Sequence, residues 1–147
     1  MRRYRRTRAL VEGDANLVRE IVREAEAAAG EGGIAVLDEP NEELVMLQVR
    51  ETAQGSRFYL GEALMTSCRV RLAGAVGYGL VLGGDRCRAY ELAVADAAFS
   101  GPDGERWAAR WDERLERELA AVEAREADQA RRAALTKVDF STMEVDL

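Results

Sequence analysis

Apolar residues recur at three- and four-residue steps through "ANLVREIVREAEAAAG", placing Leu17, Val18, Ile21, Val22 and Ala25 on one side. That period predicts a helix over 14–30, opened by Asp14 as N-cap and closed by Gly30. Residues 2–12 carry a shorter pattern, Tyr4, Ala9, Leu10 and Val11, ended by Gly13, so the chain begins with a helical pair. Residues 30–42 hold three glycines and a Pro-Asn. They read as a connection, with a short extended piece at Ile34–Leu37.

From 43 to 83 the period changes to two. Val45, Leu47 and Val49 alternate, "AQGS" makes a turn, and Leu64, Thr66, Cys68, Val70 and Leu72 alternate again. Gly61 marks a bulge, Ala73-Gly74 a tight hairpin turn, and Val76, Tyr78, Leu80 and Leu82 line one face of a returning strand. Gly77 and Gly79 fall on the opposite face, which predicts a close neighbour there. A helix follows over 85–99, with Cys87, Tyr90, Val94 and Ala97 or Ala98 turned to the sheet. "SGPDG" stops it. A long helix over 103–135 carries the stripe Trp107, Trp111, Leu115, Leu119 and Val122. Residues 136–147 are an extended tail in which Val138, Phe140, Met143 and Val145 have no helical pattern. The predicted fold is α+β in a single domain. An antiparallel sheet of three to four strands carries helices on one face, with the N-terminal helical pair, the long C-terminal helix and the tail outside it.

Composition narrows the chemistry. The 147 residues contain no histidine, two cysteines and one lysine, Lys137. Without histidine the commonest general base and metal ligand are missing, and Ser-His-Asp or Cys-His catalysis is excluded within this chain. Cys68 and Cys87 are too few for a zinc or iron–sulfur site and are expected as buried thiols. No metal and no cofactor is expected in this chain. No apolar run reaches the ~18 residues of a spanning helix, and no apolar segment follows the basic N-terminus, so a cytoplasmic protein without membrane contact is expected.

Five of the 21 basic residues crowd into the arm 1–8, so the rest is far more acidic than the net charge of −6 implies. Such a body repels nucleic acid, and the arm is expected to be a solvated first turn rather than an RNA tether. Gly83-Gly84 before a helix could hold an anion on free N–H groups, with Arg57, Arg69 or Arg71 nearby. Asp85 opposes that and reads better as a cap, so a packing corner is favoured. Trp107, Trp111 and the tail residues Val138, Asp139, Phe140, Thr142 and Met143 are the candidate partner contacts, because an apolar tail without a core needs cover.

The string "GSRFYLGEALMTSCRVRL", then "GYGLVLGGD", then Val138-Asp139-Phe140-Ser141-Thr142-Met143 resembles the PhnG family, the small G subunits of the bacterial carbon–phosphorus lyase system. The likeness covers roughly residues 43–100 and 137–143. Gly84 stands where that family often has arginine. The resemblance implies an accessory, non-catalytic subunit of the phosphonate-degrading core complex. Its partners would be the H, I and J subunits, with the I subunit in direct contact. MgATP would be a substrate of the assembly, an alkylphosphonate displacing adenine from C1′. The remaining alternatives are a stand-alone nucleotide or phosphonate binder and a homo-oligomeric interaction module.

Overall fold

The computed structural model describes residues 1–31 and 33–136. Helices α1 (Arg3–Glu12) and α2 (Ala15–Ala29) come first. Strands β1 (Ile34–Arg50), β2 (Arg57–Leu72) and β3 (Ala75–Leu82) follow, then α3 (Arg86–Ser100) and α4 (Gly104–Leu135). The strands form one antiparallel sheet in the order β1-β2-β3. The α+β class and the single helix-covered face are as the sequence predicts.

Local chemistry sets the boundaries. The Asp14 side chain accepts from the Asn16 N–H at 2.9 Å and Gly30 ends α2 with φ 70°. Ala73 and Gly74 both have positive φ, 50° and 83°, the two left-handed residues of a type I′ hairpin turn. The Asp85 side chain accepts from the Arg88 N–H at 2.9 Å and caps α3.

Helix α3 is the middle layer. Ala89, Leu92, Ala93, Val94, Ala95, Ala97, Ala98 and Phe99 are all buried, on every side of the helix. The sheet lies beneath it and α1, α2 and α4 above, which is why its apolar residues show no single stripe. Against the sheet the fit is backbone to backbone. A Cβ on Gly79 would stand 1.8 Å from the Ala89 carbonyl oxygen, and one on Gly77 2.0 Å from that of Ala93. The close neighbour predicted beside these glycines is therefore α3. The stripe Trp107, Trp111, Leu115, Leu119 and Val122 is buried as predicted.

Three sequence expectations change. Residues 34–42 belong to β1, which reaches Ile34 by bulging between Val36 and Asn41. The glycine-rich composition hid a strand whose apolar alternation is broken by those bulges. Cys87 is exposed and Cys68 alone is a buried thiol. The basic arm is helical as predicted, but its arginines are bonded rather than simply solvated. Arg3 bonds Asp96 at 3.1 and 2.7 Å, Arg5 bonds Glu116 at 2.9 Å, and Arg6 stacks on Phe99 at 4.2 Å. Across the sheet, Met65 pairs with Leu82, Ser67 with Leu80 and Arg69 with Tyr78. Tyr78, Leu80 and Leu82 therefore share the outer face with β2's polar residues, while glycine faces the helix.

The close approach makes a clear prediction. Gly79→Ala forces Cβ into a carbonyl of a packed helix and should cost about 2–3 kcal/mol, lowering Tm by about 10 °C. Gly84→Ala, whose nearest neighbour would be 3.6 Å away, should change Tm little. Thermal melts followed by circular dichroism compare the two.

Candidate partner interface

Strands β1 and β2 outrun the rest of the fold. Met65 is the last β2 residue to pair with β3, opposite Leu82, yet β1 and β2 continue as a pair from Glu43–Met65 to Arg50–Arg57. Residues 43–50 and 57–64 thus form a two-stranded ribbon beyond β3. All are exposed except the half-buried Val49 and Ala63. Leu47 pairs with Gly61 and Gln48 with Tyr59, leaving Leu60 as the extra residue of the bulge predicted at Gly61.

The ribbon's far end is held by one carboxylate. Glu51 accepts from the N–H groups of Ala53 (2.7 Å), Gln54 (2.7 Å) and Ser56 (3.1 Å), and from the Ser56 hydroxyl at 3.2 Å. Its own N–H donates to the Ser56 carbonyl at 3.0 Å. These amide donors, Ser56 first, hold the Glu51 carboxyl below its ordinary pKa of 4.5.

The surface so held is apolar on both sides. Leu44, Met46, Tyr59 and Leu60 are each 58–64% exposed, with Leu47 and Phe58 beside them. Charge is sparse, with Glu43 at the base, Glu62 opposite Met46 midway along, and Arg50 with Arg57 at the tip. The apolar surface runs on across Met65 to Leu82, Leu80 and Tyr78 on the outside of the sheet. Monomeric proteins seldom expose so continuous an apolar area, and an isolated two-stranded hairpin is marginal in water.

The predicted site residues fall elsewhere. Trp107 and Trp111 are 5% exposed, packed in the core with Phe99 edge-on to Trp107 at 6.3 Å. They therefore present no surface to a partner, because α4 turns its stripe inward. Val138, Asp139, Phe140, Thr142 and Met143 lie outside the described residues. At Gly83-Gly84 the Gly83 N–H donates to Leu64 O at 2.8 Å, and the Gly83 carbonyl accepts from Thr66 at 2.6 Å. Gly84 faces the Glu42 carboxylate, which is paired with Arg86 at 3.2 Å. A carboxylate there disfavours an anion, and the corner joins sheet to helix. Arg69 pairs with Asp38 on the outer face, Arg71 sits beside Val76, and Arg57 is at the ribbon tip, so none converges on that corner.

An open cleft of about 570 Å³ lies between α2, α3 and β1. Its charges largely answer one another, Arg19 to Glu91 at 3.4 Å and the Tyr90 hydroxyl to Glu26 at 3.3 Å. No group of three or more histidine, cysteine or carboxylate side chains is placed to hold a metal among the described residues. No described helix is long and apolar enough to cross a membrane.

The sequence matches the family model described as "Phosphonate metabolism protein PhnG" over residues 1–145. The chain belongs to the PhnG family. It is 35% identical over 111 residues to a relative from Rhizobium meliloti (strain 1021) named "Alpha-D-ribose 1-methylphosphonate 5-triphosphate synthase subunit PhnG". That stretch covers 75% of this chain and 69% of the relative. The ribbon of this PhnG-family chain coincides with Gly55-Ser56-Arg57-Phe58 and Gly61-Glu62, residues that carry the sequence resemblance. What the alternation alone missed is that "LVMLQV" and "FYL" are apolar at both parities, the signal of a strand with no water-facing side.

The ribbon turn should respond to acid. Because the folded Glu51 pKa is depressed, its hold on the turn is present above 4.5 and is lost as pH falls through the lower folded value. The Ala53, Gln54 and Ser56 amide signals in NMR spectra should move together with one midpoint below 4.5. Glu51→Gln should abolish that shared titration.

Proposed function

We propose that this chain is an accessory, non-catalytic subunit of the phosphonate-degrading carbon–phosphorus lyase core complex. Its role is to assist transfer of an alkylphosphonate to C1′ of ATP with release of adenine. A partner chain supplies the reacting groups. Membership of the PhnG family and the relative's name as a synthase subunit support this reading. A sequence without histidine supports the division of labour. The observation that carries it is the uncovered apolar ribbon, which has no role in the chain's own core.

The partners in this reading are the H, I and J subunits, with the I subunit in direct contact through the ribbon and through Val138, Asp139, Phe140, Thr142 and Met143. MgATP is bound by the assembly as substrate, and the complex works in the cytoplasm. Large apolar and aromatic side chains that become desolvated contribute most to such contacts.

Co-expression with the I subunit tests it. Leu47→Ser with Phe58→Ser should lower retention of the I subunit by a factor of about 30 or more, the equivalent of about 2 kcal/mol. Both side chains are exposed in the isolated chain, so its Tm should hardly move. Phe140→Ala should weaken retention to a similar extent. Wild-type chain that retains none of the H, I and J subunits would overturn the proposal. So would isolated chain that releases adenine from ATP when given a phosphonate.

A further inference from the structure

The sheet treats its edges unequally. On β3 the outward N–H of Tyr78 donates to the Asp96 carboxylate at 3.1 Å, and Arg3 of α1 holds the same carboxylate. That edge is blocked at Tyr78. On β1 the first half is broken by register shifts between Val36 and Asn41 and carries Pro40, both of which obstruct pairing. From Leu44 to Val49 there is no proline, no lysine and no bulge on β1, and no described strand lies outside it.

The direction of the peptide groups can be read from two bonds. Gly83 N–H donates to Leu64 O, so Leu64 points at β3 and its neighbour Met65 points at β1. Glu51 N–H donates to Ser56 O, inside the hairpin. Peptide groups alternate along a strand, so Glu43, Val45, Leu47 and Val49 bond β2. The N–H and C=O of Leu44, Met46 and Gln48 then point away from the sheet.

We propose that this edge receives a strand from a partner subunit, extending the sheet from three strands to four along Leu44–Val49. This rests on the subunit reading above and names the surface and the mode of contact. The incoming segment is extended, apolar at successive positions so as to match both faces of the ribbon, and acidic where it passes Arg50 and Arg57. Main-chain bonds supply affinity and the flanking side chains supply specificity. A different chain is the occupant rather than a second copy. Two copies, each of net charge −6, would repel.

Hydrogen exchange on the wild-type chain gives the first readout. The Met46 and Gln48 amides should exchange fast in the isolated chain and slow at least about tenfold in the complex with the I subunit. The Val45 and Leu47 amides, already bonded to β2, should change less. The second readout is Met46→Pro against Met46→Ala. Proline removes an outward N–H and spares the β1–β2 ladder, whereas alanine keeps that N–H. Proline should weaken retention of the I subunit at least about tenfold beyond alanine, a loss matching roughly one hydrogen bond. If wild-type chain binds the I subunit but Met46 and Gln48 stay unprotected and both variants bind alike, the edge proposal falls and the subunit reading stands. If wild-type chain binds no subunit, both fall. If the isolated chain dimerises and Met46→Pro is monomeric, the strand belongs to a second copy and the partner assignment is overturned.

Discussion

Everything in this fold turns on the contact between Gly77 and Gly79 of β3 and the backbone of α3 at Ala89 and Ala93. No side chain separates the two elements, so α3 lies close on the sheet and is enclosed by α1, α2 and α4 as well. The alternation of a strand then has a forced consequence. If glycine faces the helix, Tyr78, Leu80 and Leu82 must face outward, since a strand presents its residues to two sides in turn. The same contact that closes the core thus puts apolar side chains on the open face of the sheet.

The helices above are joined by two kinds of force with different weights. The α4 stripe from Trp107 to Val122 and the buried residues of α2 supply apolar burial, at roughly 25 cal/mol per Å² removed from water. The arginines of α1 add a row of ion pairs to α4 and α3, among them Arg5–Glu116 at 2.9 Å and Arg3–Asp96 at 2.7 Å. Exposed pairs of this kind contribute about 0–1 kcal/mol each, so they set the angle and register of α1 more than its affinity. Arg6 differs, being buried on the Phe99 ring, where burial also lowers its pKa.

Much of this could be read from the chain, and the parts that could not share a cause. The Asp14 cap, the Gly61 bulge, the Ala73-Gly74 turn and the α4 stripe each depend on a local rule, and each is found where the rule places it. The start of β1 and the facing of β3 depend on pairing between distant residues. Leu82 opposite Met65 decides which side of the sheet Leu82 occupies, and no window of sequence contains that fact. Aromatics serve cores and interfaces alike, so sequence alone offers Trp107 and Trp111 as contacts for a partner. Their burial against Phe99 and the neighbouring helices assigns them to the core. Leu44, Met46, Tyr59 and Leu60 break the one-faced alternation that marks a half-buried strand, because the ribbon is apolar on both faces.

An apolar hairpin standing off the body would normally fray or aggregate, and its persistence needs a physical reason. Three features supply it. The strands enter the ribbon already paired, since β2 is fixed to β3 from Met65 to Leu72 and the β1–β2 ladder simply continues. The turn is closed by the Glu51 carboxylate on three backbone amides. The bulge at Leu60 adds local twist, which keeps the ribbon from being the flat template that self-associates most readily. The ribbon is therefore ordered by its ends rather than by burial of its middle. That leaves the side chains between Leu44 and Leu47, and from Phe58 to Leu60, free of any duty to the core. Residues with no part in holding their own fold are the ones a protein can shape to another chain without loss of stability, and here they are apolar and open to solvent.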